Sequence, residues 1–263
     1  MKQIISESER GKVYYWHTDI DLTKRTIFLL HGLTANHTMF NKQVEFFRDK
    51  YNVIVWDAPA HGKSRPYSDF SYENAATVML QILNELQIEK VVLIGQSMGG
   101  YNVQSFILRY PEKVIGFVSI DSTPFGNYYS KSDMWWLRQI EWMCKPFSEK
   151  ILKVSIAKQN AVTKAGQENM LEMVSDYDKA ELCRLMGIGY AGFLNDNVEL
   201  QLPCSALLLV GEKDNTGKVK SYNKEWSRRT GTELIWVPDA AHNSNVDNPD
   251  FVNSCIEKFL TKL

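Results

Sequence analysis

The chain is 263 residues long and nearly neutral, with 30 basic and 31 acidic residues and a formal net charge of −1. Hydrophobic residues make up 44% and charged residues 23%, a globular balance that excludes a largely disordered chain, a collagen-like repeat and a disulfide-stapled scaffold. At this size roughly three-quarters of the chain's surface can be buried on folding, and the lack of a basic excess argues against a nucleic-acid partner.

In chain order, residues 1–10 lack the apolar segment of a secretory signal, so a cytoplasmic location is expected. Residues 11–20, with Val13-Tyr14-Tyr15-Trp16, read as an antiparallel edge arm. Six short runs follow, at 26–30, 53–57, 91–94, 115–120, 206–210 and 234–237. They are almost continuously apolar rather than alternating, the signature of parallel strands covered on both faces. None approaches the ~20 residues needed to span a bilayer, so no membrane partner is expected.

The intervals read as helices. Ala75, Ala76, Met79, Leu80, Leu83 and Leu86 fall at three-four spacing. A second helix starts near Ser97 and stops at Pro111. In the last, Asn248 is placed to cap, Pro249 fits the first turn, and Phe251, Val252, Cys255, Ile256, Phe259 and Leu260 form one stripe. Alternating strands and helices predict a doubly wound, mostly parallel α/β sheet. Residues 124–202 break the alternation. They carry no strand pattern, are too long for a loop, and read as an inserted helical cap, leaving 1–123 and 203–263 as the core domain. Trp135, Trp136 and Trp142 lie in this insertion, where they read either as part of its own core or as the lining of an apolar substrate pocket beneath it. Cys144, Cys183, Cys204 and Cys255 form no CxxC pair and read as free thiols.

The strongest motif is Gly95-Gln96-Ser97-Met98-Gly99, a G-x-S-x-G with a strand running into it and a helix leaving it. A sharp strand-to-helix turn lifts the serine hydroxyl above the sheet edge and demands small neighbours, which Gly95, Gly99 and Gly100 provide. A serine needs a base. His242 lies in the loop after the last strand, where it can reach Ser97 across the same edge. The base needs an acid to fix its tautomer. Asp214 follows the run at 206–210, giving the order Ser97, Asp214, His242; Asp121, after 115–120, is the alternative acid. The amides of Leu33, beside Gly32, and of Met98 are the expected oxyanion donors, and His31 reads as a turn-stabilising residue rather than the base.

Two further patterns resemble nucleotide loops but fail on context. Gly62-Lys63-Ser64 would need glycine where Asp57 stands, and the G-x-G-x-x-G at 187–192 follows a helical pattern rather than a strand, so it reads as helix packing.

Together, the His31-Gly32 loop, the loop at 57–64, the Ser97 elbow, Gly211-Glu212-Lys213-Asp214 and His242 before Asn248-Pro249 resemble the α/β-hydrolase superfamily along nearly the whole chain. The resemblance implies a serine hydrolase acting on a small carboxylic ester through an acyl-enzyme, with no cofactor and no metal, and a supporting role for the loop at 57–64. Epoxide hydrolases and haloalkane dehalogenases carry aspartate at the elbow, so Ser97 argues against both. Carbon–carbon bond hydrolases, thioesterases, lactonases and perhydrolases of this fold stay open, as does a small-molecule receptor with slow turnover. The partner expected in every case is a small molecule.

Overall fold

The computed structural model describes residues 1–263. Eight strands form a single sheet: β1 Lys2–Ser8, β2 Gly11–His17, β3 Thr26–Leu30, β4 Asn52–Trp56, β5 Val91–Gln96, β6 Val114–Ile120, β7 Ser205–Gly211 and β8 Glu233–Val237. Their spatial order is β1-β2-β4-β3-β5-β6-β7-β8. β1 pairs antiparallel with β2 and β2 antiparallel with β4, and all other pairings are parallel. The six apolar runs are thus the parallel strands. Every residue of β3, β4 and β5 is buried, which is why their sequences do not alternate.

The expected edge arm is β2, but its partner β1 carries no comparable sequence signal. Four of its first residues are exposed and it pairs on one side only. An edge strand with little to bury needs no apolar run. Glu85 secures this edge, accepting hydrogen bonds from the hydroxyls of Ser6 at 2.9 Å and Tyr15 at 3.0 Å.

Eleven α-helices complete the chain. Those of the sheet region are α1 Asn41–Phe47, α2 Tyr72–Glu85 and α3 Met98–Arg109, with α9 Val219–Thr230, α10 Ser244–Asp247 and α11 Pro249–Leu260 near the C-terminus. Between β6 and β7 lie α4 Lys131–Leu137, α5 Ile140–Cys144, α6 Glu149–Asn160, α7 Lys164–Val174 and α8 Lys179–Gly192. No strand interrupts this helical insertion. Asn248 caps α11 where the sequence places it, accepting from the Phe251 N–H, and Ser71 accepts from the Asn74 N–H to start α2.

The chain passes from β3 outward to β4, then returns to the other side of β3 to form β5. Such a reversal opens a crevice outside the carboxyl ends of the two strands, where ligands bind in doubly wound sheets. The loops after β3 and β5 carry Leu33 and Ser97. One apolar core of 60 buried residues runs through the sheet, its covering helices and the inner faces of α6, α7 and α8; a satellite of Cys144, Leu152 and Cys183 sits inside the insertion. No helix is long and apolar enough to cross a membrane.

Candidate active site

Ser97 sits between β5 and α3 with φ 49° and ψ −114°, a left-handed conformation that costs a non-glycine residue. The surroundings hold it there. Its N–H donates to the Ile120 carbonyl at 2.8 Å, and its carbonyl accepts from the Ser122 hydroxyl at 2.7 Å. The first turn of α3 presses so closely on β3 that a Cβ on Gly99 would run into the Leu30 carbonyl. Backbone packing therefore fixes residue 99 as glycine.

The structure brings together the three side chains that the sequence separates by 145 positions. The Ser97 hydroxyl donates to His242 Nε2 at 2.8 Å, and His242 Nδ1–H donates to Asp214 Oδ2 at 2.8 Å. The other Asp214 oxygen accepts from the Thr216 N–H at 2.7 Å. Burial opposes charge on His242, yet the adjoining Asp214 carboxylate outweighs it and raises the imidazole pKa above its usual 6.5. Burial likewise opposes charge on Asp214, and His242 reverses the balance, holding the carboxyl below its usual value. An imidazole fixed in one tautomer, with its free nitrogen on a hydroxyl, can take that proton as the oxygen attacks.

Asp121 does not reach the histidine side chain. Its two oxygens accept from the Gly211 N–H at 2.7 Å and the Ser244 N–H at 3.0 Å. It thereby ties the end of β7 to the start of α10, the two segments that bracket Asp214 and His242. Burial, followed by the nearby Asp214 charge, pushes its carboxyl up to about 8.

Gln96, which the sequence reading passed over as the variable position of the motif, has a defined contact. Its side-chain amide donates to the His242 carbonyl at 2.7 Å and to Asn243 Oδ1 at 3.3 Å, holding the histidine loop against the elbow. Its place on the residue before the serine was the available signal. Asp247 adds a second fastening. Its carboxylate accepts from the N–H groups of Ala241, Val162 and Thr163, and the Asn243 N–H donates to the Asn160 carbonyl at 2.6 Å. The turn between α6 and α7 is thus stitched to the histidine loop.

His31 has both ring nitrogens engaged. Nδ1–H donates to the Gly32 carbonyl at 2.7 Å and Nε2 accepts from the Ala58 N–H at 2.9 Å. Full burial drops its pKa to about 4, so it stays neutral and braces the loop after β3. Leu33 follows in that loop, and its N–H donates to no acceptor within the protein. Met98 begins α3, where helical N–H groups have no intrahelical partner. Both residues line the same cavity as Ser97 and His242.

That cavity has a volume of about 540 Å³ and is walled mainly by apolar side chains of α4, α5, α6 and α8. Of the three candidate tryptophans, only Trp136 lines it. Trp135 and Trp142 are 54% and 68% exposed and point elsewhere. Successive helical residues are turned about 100° apart, so Trp135 and Trp136 cannot share one face of α4. Ile140, Met143, Phe147 and Ile151 stand in the wall instead of the other two indoles. The glycine pattern at 187–192 lies inside α8, where a Cβ on Gly189 would crowd the Leu33 side chain. The Gly189 carbonyl also accepts from the Tyr72 hydroxyl at 2.6 Å. Gly189 thus seats α8 on the Leu33 side chain, while Gly187 meets Glu141 within the insertion and Gly192 meets Tyr72 of α2. No group of three or more His, Cys, Asp or Glu side chains is disposed to hold a metal ion.

The alpha/beta hydrolase fold family model matches residues 25–249. The chain belongs to the α/β-hydrolase fold family. A putative esterase/lipase of Haemophilus influenzae is 23% identical to this α/β-hydrolase chain over 246 residues, covering 90% of the chain and 83% of that protein. An uncharacterized hydrolase of Bacillus subtilis, YugF, is 36% identical over 102 residues, 38% of the chain and 37% of that relative's length. Several curated relatives are thus matched over only about a third of their own length. A thermophilic esterase from Thermogutta terrifontis has the same fold at TM-score 0.80 and 20% identity, with 100% of this chain and 99% of that one covered. An enol-lactonase from Burkholderia xenovorans superposes at TM-score 0.79 and 17% identity, covering 98% and 100%.

Proposed function

We propose that this α/β-hydrolase is a serine hydrolase that cleaves a small carboxylic ester with an apolar acyl group, residues 124–202 acting as its cap. The observation that carries the reading is the hydrogen-bonded relay from Ser97 through His242 to Asp214, opening on an apolar cavity. Relatives named as esterases favour an ester over the other acyl substrates this chemistry can use.

The steps follow from the geometry. Ser97 Oγ attacks the ester carbonyl carbon as its proton passes to His242 Nε2. Asp214 keeps the ring oriented and stabilises the imidazolium. The N–H groups of Leu33 and Met98 hold the developing oxyanion, each donor worth about 3 kcal/mol where such groups have been removed in other hydrolases. His242 then returns the proton to the departing alcohol, leaving Ser97 acylated. Water enters, gives a proton to His242 and attacks the acyl carbon, and collapse releases the acid and restores the serine. Asp121 and Gln96 hold the loops that carry this machinery.

Ser97→Ala tests the reading. With an unchanged circular dichroism spectrum, it should reduce turnover of short-chain nitrophenyl esters by a factor of about 10⁶ and abolish labelling by a fluorophosphonate. Turnover near that of the unsubstituted protein would refute the mechanism. A panel of ester, thioester, lactone and dienone substrates assayed by kcat/KM then identifies the bond cleaved.

A further inference from the structure

The insertion exposes an unusual amount of apolar surface in one place. Trp135, Trp136, Trp142, Met143, Phe147 and Ile151 are all exposed, and all lie on α4, α5 and the start of α6 or in the turns between them. Trp136, Met143, Phe147 and Ile151 also line the cavity that holds Ser97. The rim and the interior are therefore one continuous apolar surface. Trp135 packs edge-on against Trp136, with ring centroids 4.8 Å apart. Exposed patches of this kind mark interaction sites rather than ordinary monomer surface.

Charge identifies the partner. Residues 131–160 hold six basic and three acidic residues, an excess of three positive charges within a chain of net charge −1. Lys145 and Lys153 pair with Glu141 and Glu149, whereas Lys131, Arg138, Lys150 and Lys158 face no carboxylate. A second copy of the same face would bring these unpaired cations against one another. Exposed indole rings and unpaired cations carried by the same helices instead match an anionic lipid surface. The rings settle at the headgroup boundary and the cations are drawn to negative headgroups. The lack of a spanning helix bears on crossing a bilayer, not on resting against one.

We propose that the face formed by α4, α5 and the start of α6 docks on anionic lipid surfaces, setting the cavity mouth against the headgroup layer so that an ester enters from the lipid. The delivery of substrate rests on the serine-hydrolase reading; docking itself does not. The test uses the full chain with vesicles of phosphatidylcholine alone and of phosphatidylcholine mixed with phosphatidylglycerol. The protein should sediment with the mixed vesicles, be released by high salt, and bind the neutral vesicles far less. Trp135→Ser/Trp142→Ser, two side chains outside the cavity, should weaken vesicle binding at least about tenfold while leaving turnover of a water-soluble ester unchanged. Lys131→Glu/Lys150→Glu should remove the preference for phosphatidylglycerol. Ser97→Ala should bind like the unsubstituted protein. Vesicle binding by an unsubstituted protein that cleaves no ester would uphold docking and overturn the hydrolase reading. No sedimentation with either vesicle, undiminished binding by the double-tryptophan variant, or a lipid-free dimer that the same variant dissociates would overturn the docking proposal.

Discussion

The sheet and the helical insertion solve different problems with the same kinds of residue. In β3, β4 and β5 every side chain is buried. The insertion holds nine of the fourteen large apolar side chains that the molecule leaves exposed. Its own satellite core is three residues, against 60 in the main one. The sheet is over-determined, and that surplus rigidity lets it hold Ser97 in a strained turn and keep two hydrogen bonds aligned across three loops. The insertion is packed firmly only where it meets the sheet. Its outer helices present apolar surface both to the cavity and to the outside.

Substitutions can break or sharpen this contrast. The largest effect is expected at the relay itself. Asp214→Asn should lower kcat about 10⁴-fold with little change in the folded structure, because the wrong tautomer of His242 is then favoured. The pH profile supplies a second reading from the same protein. His242 acts as a base only when neutral, and its pKa is raised above 6.5. Activity should therefore rise with pH along a limb whose midpoint lies above 6.5, and Asp214→Asn, by removing a cause of the increase, should move that limb to lower pH.

Next come two chemically identical truncations in the two regions. Leu29→Ala, in fully buried β3, should cost near the upper end of about 2–5 kcal/mol, and Leu152→Ala, in the small satellite core, near the lower end. Urea unfolding midpoints would measure both. Equal losses would show that the insertion is as tightly packed as the sheet. Leu152 also lines the cavity, so its truncation should favour bulkier acyl groups, whereas Leu29→Ala should leave substrate preference unchanged.

Asp121→Asn should follow, at about 1–3 kcal/mol of stability, because an amide nitrogen would face one of the two N–H donors that the carboxylate now accepts. Its loss of turnover should be smaller than that of Asp214→Asn; an equal loss would give Asp121 a direct part in the relay. The smallest effect belongs to the insertion's outer contact. Lys218 pairs with Asp133 of α4 at 2.7 Å, with the lysine 59% exposed. Lys218→Ala should change stability by at most about 1 kcal/mol, and thermal denaturation would check it.

The same contrast explains what was legible in the sequence. Strands buried on both faces write themselves as apolar runs, so β3 to β7 could be read directly; the half-buried edge strand β8 kept an apolar run as well, and the loops after the strand ends carried Ser97, Asp214 and His242 in order. β1 could not be read that way because its side chains are mostly exposed. The helix α9 was equally silent, since only Val219, Asn223 and Trp226 of its twelve residues are buried. The choice between Asp214 and Asp121 turned on loop geometry beyond the strand ends, which composition does not encode; only the coordinates separate an aspartate that meets the imidazole from one that meets two backbone amides. Trp135 and Trp142 misled for a related reason. A large apolar residue is expected to seek cover, and the sequence gives no sign that these two face outward.

The stitching of residues 160–163 to the histidine loop binds the insertion to the segment that carries His242. Asp247 grips both sides of that seam with backbone hydrogen bonds, so a hinge there would drag the imbedded imidazole with it. The opposite margin, around α4, is tied to the segment before α9 by the Lys218–Asp133 pair, its lysine exposed and its aspartate half-buried. The seam therefore couples the insertion's position to that of His242, a coupling that the Lys218–Asp133 pair does not share.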